Sequence, residues 1–117
     1  MRNSSHSNYA TMDKEHYRNT LRKKLIKIFS NGMGEQINWT FHATERLIER
    51  FGGQPTQSIV TALKLAIKLL HEKEAEYANT VAVDYSGSRV VVSPTKYGYA
   101  VVTVIQNDRF SRGYHYR

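Results

Sequence analysis

The sequence contains no cysteine and no long hydrophobic run, and each absence excludes a class of structure or chemistry. Without cysteine the chain forms no disulfide, and no thiolate is present to act as a nucleophile or metal ligand. No stretch approaches the about 18–20 consecutive apolar residues that a transmembrane helix requires. Residues 1–7 are polar and lack the apolar segment of a secretory signal. We therefore expect a soluble protein of the cytoplasm that does not associate with membranes.

Acidic residues are also scarce, because ten Asp and Glu stand against seventeen Lys and Arg, which gives a net charge of +7. A surface of this charge attracts nucleic acids and, less specifically, anionic membranes or acidic proteins. With 117 residues and 40% hydrophobic content, the chain is long enough for one modest core. We predict a flexible leader over residues 1–11, followed by a single α+β domain over residues 12–117.

The first half of this domain shows the periodicity of three helices, over residues 12–30, over residues 40–51 and from Pro55 onwards. The third is the most apolar and is expected to lie against a sheet. The first has a basic face that predicts contacts to phosphates, although the same pattern is typical of an ordinary solvated face. Its candidate nucleic-acid-binding residues are Arg22, Lys23, Lys24 and Lys27.

From Thr80 the hydrophobic period changes to two, which predicts strands over residues 81–85, 89–93 and 99–105. Ser86 and Gly87 predict a hairpin turn between the first two strands. The last dozen residues interleave arginine with aromatics, a pattern that favours binding of single-stranded nucleic acid. Alternatively, they form a fourth edge strand or a frayed chain end. The chain thus predicts an α+β fold, with N-terminal helices packed on one face of a C-terminal antiparallel meander of three to four strands. Further candidate nucleic-acid-binding residues in this half are Lys96, Tyr97, Arg109 and Arg112.

Local signals mark both ends of the second helix. Thr40 is its predicted N-cap, and Gly52 and Gly53 are its predicted stop. Phe41 belongs to its apolar face, which is expected to be buried.

The helix over residues 40–51 carries the most distinctive pattern of the chain. At ~100° per residue, His42, Arg46 and Arg50 form one row and apolar side chains cover the opposite side. An imidazole transfers protons near neutral pH, and a guanidinium fork matches two phosphate oxygens. RNA cleavage through the 2′-hydroxyl needs both functions and no metal. Alternatively, the arginines pair with Glu45 and Glu49, and the row is only a solvated face.

Other recognisable chemistry is missing from the sequence. The five histidines are scattered without the paired spacing of a metal site, and no glycine-rich phosphate loop or nucleophile elbow occurs. We therefore expect neither a metal nor another cofactor.

Four segments together resemble the BECR superfamily of ribonuclease toxins, which includes barnase, EndoU, colicin and RelE-like domains. The segments are the His-Ala-x-x-Arg-x-x-x-Arg helix over residues 42–50 and the valine-rich stretches 81–84, 89–92 and 100–105, which span about residues 37–106. The resemblance implies helices packed on a curved antiparallel sheet, and an RNA site where the His-Arg helix meets the strands.

The resemblance also implies functional roles for individual residues. His42 would be the acid–base residue, Arg46 and Arg50 would bind phosphate, and Thr103 would supply a hydroxyl that orients a phosphate oxygen or the nucleophile. The expected partners are RNA and an antitoxin or immunity protein. The implied function is a toxin-like ribonuclease that cleaves RNA by metal-independent transesterification. The rival hypotheses are a non-catalytic nucleic-acid-binding or host-targeting protein, such as one encoded by a phage, and an inhibitor of a protein partner.

Overall fold

The computed structural model describes residues 2–72 and 79–116, and the side chains of residues 13–72 and 79–115 among them. The described chain is α+β, as predicted. In order, its elements are α1 (Arg2–Met33), β1 (Gln36–Trp39), α2 (Phe41–Phe51), α3 (Gln57–Glu72), β2 (Val81–Tyr85), β3 (Ser88–Pro94), β4 (Gly98–Gln106) and β5 (Gly113–Tyr116).

Helix α1 is longer at both ends than the predicted range of residues 12–30. Its backbone begins at Arg2, so residues 2–11, which were predicted to form a flexible leader, belong to the helix. Extending an existing helix adds one hydrogen bond per residue, and a polar segment of modest helix propensity can therefore continue it. Met1 and the side chains of residues 1–12 lie outside the described part of the chain.

The five strands form one sheet in the order β1-β4-β3-β2-β5. Strands β2, β3 and β4 form the predicted antiparallel meander, and β5 from the C-terminal tail adds an antiparallel edge strand beside β2. The sheet exceeds the predicted three to four strands because β1 pairs in parallel with β4. The local pattern around Ile37 and Trp39 indicates a short extended segment, but it carries no signal for a pairing with a strand some sixty residues later.

The helices pack on one face of the sheet, as predicted. On α3, Ile59, Leu63 and Leu70 are fully buried in the same apolar cluster as the inward side chains of β2 and β3, for example Val83 and Val90. A serine–glycine turn joins these two strands at the predicted position, and both of its residues have positive φ. This arrangement leaves the other face of the sheet without a helix among the described residues.

Side chains of α1 cover the outer edge of β1. The Ser30 hydroxyl accepts a hydrogen bond from the Ile37 N–H at 2.9 Å. Arg22 donates from Nε to the Trp39 carbonyl at 2.5 Å and from its terminal nitrogen to Asn38 Oδ1 at 3.1 Å. These bonds satisfy polar groups that an edge strand otherwise presents to other chains.

Candidate active site

A cleft of about 420 Å³ opens between α2 and the second half of β4. Strand β1 pairs only with residues 98–101 of β4, so the neighbouring edge of residues 102–106 has no strand partner in the described sheet. Helix α2 packs beside this edge. The residues that line the cleft are His42, Arg46, Arg50, Thr103, Val104, Ile105 and Gln106. All four residues predicted to be catalytic are therefore in one place.

The centre of the cleft is a contact between His42 and Thr103. Nε2 of the imidazole lies 3.1 Å from the threonine hydroxyl, although the two residues are 61 positions apart. The hydroxyl can donate to the ring nitrogen or accept from it, depending on the histidine tautomer. The His42 side chain is exposed, so the same nitrogen can meet a ligand in the cleft.

A β-bulge in β4 determines which way Thr103 faces. Thr103 pairs with Val91 whereas Val101 pairs with Val92, so Val102 is an extra residue in β4. Val101 and Val104 are both fully buried, and Thr103 between them is partly exposed. Strict alternation would place Thr103 on the same face as Val101, in the core. The extra residue turns the hydroxyl out to the cleft, as bulges near functional sites often do.

Thr40 connects this bulge to the first turn of α2. Its N–H donates to the Val101 carbonyl at 3.2 Å, and its hydroxyl donates to the Val102 carbonyl at 3.0 Å. The same hydroxyl accepts the N–H of Ala43 at 2.9 Å, which confirms Thr40 as the predicted N-cap of α2. One side chain therefore holds the strand that carries Thr103 against the helix that carries His42.

The two arginines of the row differ in their surroundings. Arg46 lies 3.3 Å from the Glu49 carboxylate, and both side chains are well exposed. The ion pair therefore contributes little to stability, and the Arg46 guanidinium is able to leave Glu49 for another anion. No described residue pairs with the exposed Arg50. The other nearby acid, Glu45, is held by Arg18 of α1 at 2.5 Å. The cleft therefore keeps a net positive charge.

The structure assigns Arg22 a different role from the predicted contact with nucleic acid. Besides its bonds to β1, its guanidinium lies over the Phe41 ring, 4.4 Å from the ring centroid. Arg22 thus fixes α1 to the start of α2, and its charge is already engaged. Lys23, Lys24 and Lys27 are exposed on α1 and remain candidates for phosphate contacts.

Replacing Lys23, Lys24 and Lys27 with glutamine in one variant is expected to reduce the salt dependence of RNA affinity. Each phosphate contact to a single strand contributes about −0.7 to the slope of log K against log salt concentration, so the slope should change by about 2. Titrations at several salt concentrations measure it. An unchanged slope would remove this face of α1 from the RNA interface. The variant Arg22→Gln should instead lower the melting temperature.

The other predicted nucleic-acid-binding residues do not line the cleft. Lys96 and Tyr97 are exposed in the turn before β4, and six residues of strand, ~20 Å, separate Tyr97 from Thr103. Arg109 is exposed in the segment that follows β4. Arg112 lines a separate cavity of about 350 Å³ between α3 and the β2–β5 end of the sheet. The fold therefore does not bring these four residues together with the cleft.

A second polar cluster joins β2, β3 and the C-terminal tail. The buried Asp84 carboxylate accepts hydrogen bonds from Arg89 at 2.5 and 2.9 Å, and these bonds raise the pKa of the guanidinium above its usual value. Arg89 also lies over the Phe110 ring at 4.2 Å, and His115 is 3.8 Å from the same carboxylate. The cluster is satisfied internally and joins the tail to the sheet.

Sequence reasoning missed three contributions to the cleft. The sequence predicts Thr40 only as a helix cap, whereas its hydroxyl also donates to the Val102 carbonyl in the β4 bulge. Ile105 and Gln106 were assigned to a strand end and a tail, yet both line the cleft. The available signal was their position just after Thr103, since residues that follow a site hydroxyl on one strand lie near the same opening.

The described residues offer neither a membrane span nor a metal site. No helix among them has the length and hydropathy needed to cross a bilayer. Within residues 2–72 and 79–116, no three His, Cys, Asp or Glu side chains group as metal ligands.

Comparison of the chain with protein-family models, curated proteins and solved structures finds no match. The resemblance to the BECR ribonuclease toxins thus stays a prediction that rests on the four sequence segments.

Proposed function

We propose that this protein is an endoribonuclease that cleaves RNA in the His42 cleft by attack of a 2′-hydroxyl on the adjacent phosphate. The observation that carries the proposal is the meeting of an imidazole, two guanidiniums and a hydroxyl from distant parts of the chain in one cleft. The resemblance to ribonuclease toxins supports the same chemistry.

His42 performs the proton transfer in this proposal. The neutral imidazole accepts the proton of the 2′-hydroxyl at Nε2, the nitrogen that otherwise contacts Thr103. The bond from O2′ to phosphorus forms as the bond from phosphorus to O5′ breaks, and O5′ takes a proton from water. The products are a 2′,3′-cyclic phosphate and a 5′-hydroxyl. Before RNA binds, Thr103 holds the ring in position through Nε2. When Nε2 turns to the 2′-hydroxyl, the Thr103 hydroxyl is released and can bond the attacking oxygen or a phosphate oxygen.

Arg46 and Arg50 supply the positive charge that the reaction needs. Negative charge builds on the non-bridging phosphate oxygens as phosphorus becomes five-coordinate, and fixed donors at these oxygens lower the barrier. The arginines lie four residues apart on α2, one helical turn, so they follow His42 along the same wall. The exposed lysines of α1 would hold more distant phosphates.

RNA is the substrate, and an antitoxin or immunity protein would act by covering the cleft. The exposed lysines Lys23, Lys24 and Lys27 also suit a nucleic-acid-binding protein without activity. Cleavage of bound RNA distinguishes the two functions, because a binding protein without activity leaves its RNA intact.

Incubation of the purified protein with RNA in excess EDTA, beside DNA of the same sequence, tests the proposal. We expect RNA fragments to accumulate and the DNA to remain intact, because DNA has no 2′-hydroxyl. Gel electrophoresis of labelled strands resolves both results. Cleavage of both strands, or activity that appears only with a divalent cation, would contradict the proposed chemistry. Binding of RNA without cleavage would favour the rival function.

A further inference from the structure

The two walls of the cleft differ in chemistry. The α2 wall carries the charged groups His42, Arg46 and Arg50, whereas the β4 wall consists of Thr103, Val104, Ile105 and Gln106. In a nucleotide the phosphate and the base lie at opposite ends of the ribose, so a nucleotide in the cleft can place one against each wall. If the arginines hold the phosphate, the base faces the end of β4.

The end of β4 offers a polar group suited to a base. The backbone of Gln106 is fixed, because Gln106 pairs with Ser88 and the next residue donates its N–H to the Gly87 carbonyl at 2.9 Å. No described residue hydrogen-bonds to the exposed Gln106 amide. The amide therefore combines a rigid Cα position with one carbonyl acceptor and an NH₂ donor that are available to a ligand.

The neighbouring Ile105 adds apolar surface. It is 38% exposed, which is high for a large aliphatic side chain on a strand. Apart from the His42 imidazole on the opposite wall, the described lining of the cleft contains no aromatic ring on which a base could stack. Contact of a base with this wall would thus be apolar and unselective at Ile105, and hydrogen bonding would decide which base is accepted.

We propose that Gln106 selects the base next to the cleaved phosphate, and that this base is adenine. The inference rests on the proposed ribonuclease function, since it takes the phosphate position from the arginines. An amide pairs in two bonds with adenine, accepting from N6 and donating to N7. In single-stranded RNA this edge of the base is accessible. Guanine would be preferred if an arginine read the base instead, because its N7 and O6 are both acceptors.

Binding of uncleavable ligands tests the inference separately from catalysis. The ligands are five-nucleotide 2′-fluoro RNAs of uridine with A, C, G or U at the centre, and fluorescence anisotropy gives the dissociation constants. We expect the wild-type protein to bind the adenine ligand about tenfold or more tightly than the others. Gln106→Glu removes the donor, so it should abolish this preference and favour cytosine, whose amino group donates to a carboxylate.

Gln54→Glu is the matched control, because it adds the same negative charge at an exposed glutamine outside the cleft. It should weaken all four ligands equally and keep adenine first. Equal binding of the four ligands by wild type, a preference for guanine, or an unchanged order in Gln106→Glu would overturn the inference. If the protein then still cleaved RNA in EDTA, the proposed function would stand. Adenine-selective binding without any cleavage would support the role of Gln106 and refute the enzyme.

Discussion

Replacing His42 with alanine is expected to lower the rate of RNA cleavage by about 10²–10⁴-fold, the usual contribution of a positioned acid–base side chain. The variant removes the nitrogen that lies 3.1 Å from Thr103 and leaves no other imidazole in the cleft lining. Because His42 is exposed, the free energy of unfolding should change little. Initial rates on a labelled oligonucleotide, with melting curves of both proteins, measure the two effects.

His16→Ala is the matched control, because it removes an exposed histidine from α1. Its cleavage rate should equal that of the wild type. Thr103→Val, which keeps the shape and removes the hydroxyl, should reduce the rate less than His42→Ala does, because it affects the orientation of the ring and spares the proton acceptor. Full activity of His42→Ala would show that the base lies elsewhere.

Thr40→Val is expected to affect both stability and activity, although Thr40 does not line the cleft. The hydroxyl caps α2 and bonds the Val102 carbonyl in the bulge, so its loss should cost about 1–2 kcal/mol of folding free energy. Without this hydroxyl, the start of α2, which carries His42, is able to shift relative to Thr103. A displacement of about 1 Å in a catalytic group can reduce the rate about 10²-fold. We expect a loss of that order in kcat.

The conservative variant Thr40→Ser separates positioning from general destabilisation. Serine keeps the hydroxyl and hence both hydrogen bonds, so its kcat should stay near the wild-type value. All rates are measured well below the melting temperature of each variant, where the proteins are folded. A Thr40→Val enzyme with normal kcat and only a lower melting temperature would show that Thr40 supports the fold and does not position the site.

Much of the helix at the site could be predicted from the sequence. A capping residue, a glycine stop and the alternation of apolar and polar faces are local features, and α2 begins and ends where they indicate, at Phe41 and Phe51. The row of His42, Arg46 and Arg50 follows from helical periodicity alone. Phe41, expected to be buried, is 50% exposed, because the guanidiniums of Arg18 and Arg22 cover its ring in place of the core.

The features that turn this row into a cleft depend on contacts between distant segments. The parallel pairing of β1 with the start of β4 leaves the edge of residues 102–106 unpaired beside α2. No local sequence pattern indicates which strand will pair in parallel with another. The bulge at Val102 is equally hidden, because valine fits both faces of a strand. The charge of Arg22 is visible in the sequence and predicts a phosphate contact, whereas its hydrogen-bond acceptors on β1 are brought beside it only by the fold.

The most direct test of the account is the mass of the products formed in EDTA from an RNA with a single cleavage site. We predict a 2′,3′-cyclic phosphate on the upstream fragment and a 5′-hydroxyl on the downstream one. Replacing the nucleotide upstream of the cleaved phosphate with its 2′-deoxy form should block cleavage there. A 5′-phosphate on the downstream fragment, or unchanged cleavage of the 2′-deoxy substrate, would contradict the proposed attack by the 2′-hydroxyl.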